Sequence, residues 1–236
     1  MRHACFKAFA ATGAAALLLT ACNSGGDTDD GSGDTASQNP VYAEMSTWDA
    51  CEVLDDLQPI TEYMGIEGWG STTAQGGEPG NSEIGNTFDP EAIGCGSSIV
   101  NFGENVVGNA GGELLVKIIP AEDEEQAAAV YEERAAAAEA ESAEWTEAAN
   151  QEFDAPWEQG NVISWVGDAD QPFMRVIAHD GQWVFQIQLY HTQDFGIRNG
   201  GEPSLDFTDD ELRQWLIETY LPEANHAVND RIAEVQ

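Results

Sequence analysis

The chain has 236 residues, with 43 acidic against eight basic side chains and a formal charge of −35. Such a surface repels phosphates and anionic headgroups, which excludes nucleic acid and a bare anionic membrane face as partners. Hydrophobic content of 42% with seven Trp argues for a folded chain, and scarce lysines fit a salty habitat that screens self-repulsion.

Arg2 and Lys7 precede an apolar run from Ala8 to Leu19. A cationic start, a short apolar stretch and small residues at a cleavage point are the layout of a secretory signal peptide, expected over 1–21. The run is too short to span a bilayer. Leu19-Thr20-Ala21-Cys22 resembles a bacterial lipobox, which implies cleavage before Cys22 and a lipid thioether on its sulfur. Two or more acyl chains (palmitate-like), at ~0.8 kcal/mol per buried methylene, anchor stably. The expected location is extracytoplasmic, on the outer face of the cell membrane, with Cys22 as the lipidated residue. Ordinary secretion with Cys22 as a spare thiol is the bland alternative.

Residues 22–45 read as the lipidated Cys and a flexible, acidic, self-repelling linker. Asp27, Asp29, Asp30 and Asp34 lie among its glycines, but the twelfth position of a calcium loop counted from Asp27 holds Gln38, not Glu. Residues 46–236 are expected to form a single domain.

Within it, Ser46-Thr47-Trp48-Asp49 predicts a helix start, with Val53, Leu54 and Leu57 on its apolar face. Pro59 interrupts, and Ile60, Tyr63 and Met64 continue to Gly65. Residues 71–86 read as one long Gly/Ser/Thr/Pro loop. Strands are expected over Ile93–Phe102 and Glu113–Ile119, joined by a glycine-rich connection. The Ala/Glu-rich stretch Glu122–Asn150 predicts one long helix. Asn161–Val166 is a further strand. Phe173–Ala178 and Trp183–Tyr190 predict a hairpin around His179-Asp180-Gly181. Trp183, Phe185, Ile187 and Leu189 share one strand face, and Gln182, Gln186 and Gln188 the wetter one. Thr208-Asp209-Asp210-Glu211 is a capping box that opens a C-terminal helix, with a kink or restart at Pro222. The order α-β-β-α-β-β-β-α gives an α+β class: an antiparallel sheet of about five strands with helices on one face.

Cys51 and Cys95 are the cysteines left after Cys5 is removed and Cys22 is lipidated. In an oxidising compartment they most simply pair, as a disulfide closing about 45 residues. No His pair stands near them to complete a metal site.

On these residues the chain resembles a family of actinobacterial lipoproteins carrying a domain of unknown function. The resemblance rests on the lipobox, the polar tether, Asp49-Ala50-Cys51-Glu52-Val53-Leu54 leading to a helix ending at Gly65, and Gly94-Cys95 on a strand. Asp49 stands two residues ahead of Cys51, Val53-Leu54 replaces Leu-Leu, and the Trp that often follows the second Cys is absent. It implies a lipid-anchored envelope domain with no established activity and no catalytic residue to carry across.

The residues themselves add no catalytic constellation. Gly80-Asn81-Ser82-Glu83-Ile84 fails the nucleophile pattern at its last position, and Gly96-Ser97-Ser98 fails too. A hydrolase acting on the cell wall, to be tested by substitution of Ser82, His179 and His191, is the remote enzymatic option. His191 and Asp194 could lie close, but a metal needs a further ligand, and His226 falls on a helix. Trp157, Trp165 and Trp183 read first as core and second as a lipid- or sugar-contacting face. No cofactor or metal is expected. The expected protein is a monomeric, non-enzymatic envelope lipoprotein that binds a protein or envelope component. The alternative is a carrier for an apolar ligand, such as a lipid or glycolipid, in a cavity lined by Trp183, Phe185, Ile187 and Leu189.

Overall fold

The computed structural model describes residues 39–72, 74–103 and 111–235, all within one compact unit. Cys22, the leader, the calcium-like run and most of the Gly103–Gly112 connection lie outside the described residues.

Ordered chain begins earlier than residue 46. Asn39 caps a helix, α1 (Pro40–Met45), its side chain accepting from the Val41 and Tyr42 amides, with Pro40 at the first position. Val41 and Met45 are buried, so the end of the expected linker belongs to the core. Ser46 closes this helix rather than opening the next, and Asp49 is the cap of α2 (Ala50–Val53). Asp55, Asp56 and Leu57 then take three successive left-handed conformations, φ 52°, 49° and 56°. Such residues cost free energy unless packing holds them; Leu57, fully buried, supplies that packing. The reversal leads into α3 (Gln58–Met64), where Pro59 sits in the first turn, and Gly65 ends it at φ 65°.

Among the described residues the sheet is antiparallel and has eight strands, not about five. They are β1 (Gly68–Trp69), β2 (Gly80–Ser82), β3 (Ile93–Asn101), β4 (Gly111–Pro120), β5 (Thr146–Phe153), β6 (Gln159–Val166), β7 (Pro172–Asp180) and β8 (Trp183–His191). The order across the sheet is β1-β3-β4-β8-β7-β6-β5, with β2 also paired to β3. The 71–86 segment is therefore not all loop: it carries β2. The long helix ends early, as α4 (Glu124–Ser142), and residues 146–150 belong to β5 on the sheet edge. Helix propensity favoured continuing; pairing with β6 won. The element order and strand count of the sequence reading are corrected accordingly.

Helices cover both faces, not one. On the first face, Ile93, Cys95, Leu114, Val116, Ile118, Phe185 and Ile187 pack with α1–α3 and the C-terminal helices. On the second, Ile119, Ile163, Ile177 and Val184 receive Ala127, Tyr131 and Ala138 of α4. The alternation read along β8 is the cause: Trp183, Phe185, Ile187 and Leu189 enter the first core, and Val184 the second. Gln186, expected wet, is buried under α4 and accepts a hydrogen bond from Arg134 at 2.7 Å. The β7–β8 hairpin pairs Asp180 with Trp183 and turns at Gly181, φ 53°.

A short helix, α5 (Phe195–Arg198), follows. The capping box at Thr208 and Glu211 is present and opens α6 (Asp209–Trp215). The helix then widens into a π turn over Leu216–Tyr220 before α7 (Leu221–Ala233). That turn comes directly before Pro222, which lacks an amide to donate, so the helix carries on rather than breaking. The Cys51–Cys95 disulfide joins α2 to β3, with sulfurs 2.07 Å apart. Among the described residues no helix is long and apolar enough to cross a membrane.

Candidate binding groove

One end of β5–β8 and the start of α6 enclose two adjoining cavities of about 310 and 300 Å³. Glu147, Val166, Pro172, His191, Thr208 and Asp209 line both, so they form one groove. Its floor comes from the sheet. Its wall is the start of α6 and the segment between β8 and α6.

His191 ends β8 and is only 4% exposed. Phe102 and Phe207 meet its ring edge-on, at 6.2 and 5.4 Å between centroids. Its Nε2 lies 2.9 Å from Asp209 Oδ1 and its Nδ1 2.9 Å from the Thr192 carbonyl. Both neighbours accept only, so both contacts become hydrogen bonds when both ring nitrogens carry protons. The partner is thus Asp209, eighteen residues on, not Asp194.

Asp194 has another role. Its carboxylate accepts from the amides of Gly196, Ile197, Ser204 and Leu205 and from the Ser204 hydroxyl, closing the 194–205 segment on itself. Burial raises this carboxyl, but the donors at Leu205, Ile197 and Ser204 outweigh it and hold it at about 2.

Arg213 reaches back from α6. Its Nη1 pairs with Asp210 at 3.0 Å, and its Nη2 donates to Ser164 Oγ at 3.3 Å. Its Nε is buried without a hydrogen-bond partner, as are Thr192 Oγ1 and Gln193 Oε1. Arg213 and Gln193 line the groove, and such atoms mark a place where a polar ligand or water completes the structure. Ser164 Oγ accepts from Arg213, and Thr208 is engaged in the capping box.

The remaining residues singled out in the sequence do not converge. Ser82 pairs with Gly94, which leads through Lys117 and Gln186 to Ile177 of β7. Four ladder steps, roughly 19 Å, separate Ser82 from the strand bearing His179. His179 is buried, its Nδ1 3.7 Å from Glu158. His191 faces the groove, and His226 is exposed on α7. Trp157 and Trp183 are core, and Trp165 stacks on Phe173 at 5.5 Å. Trp183, Phe185 and Ile187 are fully buried in the core; Leu189 alone of that stripe reaches the groove. Among the described residues no group of three His, Cys, Asp or Glu is placed to hold a metal ion.

Arg213 and Asp209 escaped the sequence reading as groove residues because the capping box accounted for that segment. Lys117 gave an unused signal: a single charge inside the apolar run ELLVKII demands a buried partner. Compared with family models, curated proteins and solved structures, the chain matches none.

Proposed function

We propose that this chain is a lipid-anchored protein of the outer face of the cell membrane whose domain is a non-enzymatic binding module for a protein or other envelope component. The observation that carries the reading is Leu19-Thr20-Ala21-Cys22 behind Arg2, Lys7 and the Ala8–Leu19 run. The resemblance to actinobacterial lipoproteins belongs to the same proposal. A buried Cys51–Cys95 disulfide supports it, because such bonds persist in oxidising compartments. The groove at His191 and Arg213 supports the binding role: it offers buried polar atoms in need of partners.

Fractionation tests the anchor. Wild-type chain is expected in the detergent-soluble membrane fraction, and Cys22→Ala in the medium. Equal distribution of the two would reject it. For the groove, native mass spectrometry of the full chain extracted from its host is expected to show an adduct. Arg213→Ala should lose that adduct while the fold stays intact. An adduct indifferent to Arg213 would place binding elsewhere.

A further inference from the structure

Phe88, in the turn between β2 and β3, is 92% exposed. The turn that holds it is fixed on both sides. Asn86 donates from Nδ2 to the carbonyls of Glu83, Asp89 and Ala92, and its Oδ1 accepts from the amides of Phe88 and Asp89. The buried carboxylate of Asp89 then accepts from Lys117 of β4 at 3.0 Å and from Arg134 of α4 at 2.8 and 3.1 Å. Phe88 stands between these two clamps. Its exposure is a built feature: burying such a ring would gain about 2 kcal/mol, and the turn holds it out.

Behind the ring lies a groove of about 350 Å³ over β3 and β4. Gly94 and Gly96 line it without side chains, Leu115 adds apolar surface, and Ser98 and Glu113 stand along it. A prearranged aromatic beside an apolar groove is the form of an interface anchor.

Charge selects what it meets. Lys117 is spent on Asp89, and Arg134 on Asp89 and, at 3.5 Å, on the exposed Glu91. Glu83 and Glu91 remain exposed, and burial raises the Glu113 carboxyl within the groove wall. A second copy would set these acids against themselves, and anionic lipid would be repelled. We infer that Phe88 and the groove behind it form the docking surface for a protein whose contact face is basic and holds an apolar pocket for the ring. The inference rests on the domain being an envelope binding module, and it names the chemistry of that partner.

The test places photoreactive benzoylphenylalanine at Ser98, exposed on the groove wall, in the full chain in intact host cells. A second probe at His226, exposed on α7 and away from both grooves, is the control. The expected result is one captured protein with more Lys and Arg than Asp and Glu at Ser98, and none at His226. Phe88→Ala should reduce capture about 30-fold, as for an interface hot spot, with unchanged thermal stability because the ring packs on nothing. Glu83→Lys should reduce it at least severalfold. Capture of lipid, of a second copy or of an acidic protein would overturn the inference. So would equal capture at both probes, indifference to Phe88→Ala, or no capture. The comparison is made in whichever fraction holds the chain, so failure of the anchor is read from fractionation and failure of docking from the Ser98 adduct.

Discussion

Asp89 and Arg134, 45 residues apart in sequence, are joined by two hydrogen bonds of 2.8 and 3.1 Å that fasten the turn before β3 to α4. Lys117 completes the cluster from β4. Both cations are mostly shielded from solvent and share one carboxylate. Removing it strands Lys117 and leaves Arg134 with only Gln186 and the exposed Glu91. Asp89→Asn is therefore expected to destabilise the domain by about 3 kcal/mol, lowering the melting temperature by about 10 °C, as calorimetry would read.

The same carboxylate gives an acid limb. Burial alone would raise it, but the hydrogen bonds and charges of Arg134 and Lys117 outweigh burial and bring it from 3.8 to about 2. A depressed value means the stabilisation is complete above pH 3.8 and disappears as pH falls through 2. It amounts to about 2 kcal/mol. Wild type should lose that much between pH 5 and pH 1.5 in denaturant titrations, and Asp89→Asn should lack this part of the loss.

An alkaline limb should come from Tyr131. Burial first, then the charges of Glu152 and Glu139, raise its hydroxyl from 10 to about 12. It bonds Asn161 beneath α4. The unfolded side chain ionises from pH 10 and the folded one resists until 12. Stability is therefore full below pH 10 and falls through that window by about 2 kcal/mol. Tyr131→Phe should flatten this part of a stability profile taken from pH 9 to 12.

Reduction should be costly. The bond between Cys51 and Cys95 closes 44 residues of sequence, worth about 4 kcal/mol in the chain-entropy view. The double variant Cys51→Ser, Cys95→Ser is expected to fall by that amount in denaturant midpoint analysis. A loss under 1 kcal/mol would show that the α2–β3 contact is held by packing alone.

Two glycines separate backbone strain from collision. A Cβ on Gly96 would lie 2.1 Å from the Leu114 carbonyl, with φ at 145°, whereas Gly181 at φ 53° faces open space. Gly96→Ala should cost about 3 kcal/mol or more, and Gly181→Ala about 1 kcal/mol. Urea melts of the two variants compare them directly.

The cause of each success and failure in reading this chain is local. Trp183 to Leu189 alternate because one face of β8 enters the apolar core while Gln186 on the other meets Arg134 of α4. Asp180-Gly181 marks its hairpin, and Thr208 and Glu211 sit at capping distance. β5 gave no signal because nearly all its side chains are exposed, which leaves no apolar alternation, and its alanines and glutamates continue the helix composition. β1 and β2 are two and three residues long and glycine-bearing, too short for periodicity. α1 was hidden by the polar chain before it, though Asn39-Pro40 is a start signal. The groove was illegible for a different reason. His191, Ser164 and Arg213 come from β8, β6 and α6, and only the strand order brings them together. Asp194 was the nearer acid in sequence, but its carboxylate is consumed by its own loop.

The most direct measurement is the mass of the N-terminal peptide of the chain extracted from the membranes of its own host. Lipid anchoring requires a peptide that begins at Cys22 and carries a diacylglyceryl group on its sulfur. A peptide that begins elsewhere, or a Cys22 without lipid, would contradict the proposed anchor and with it the placement of the binding groove at the membrane face.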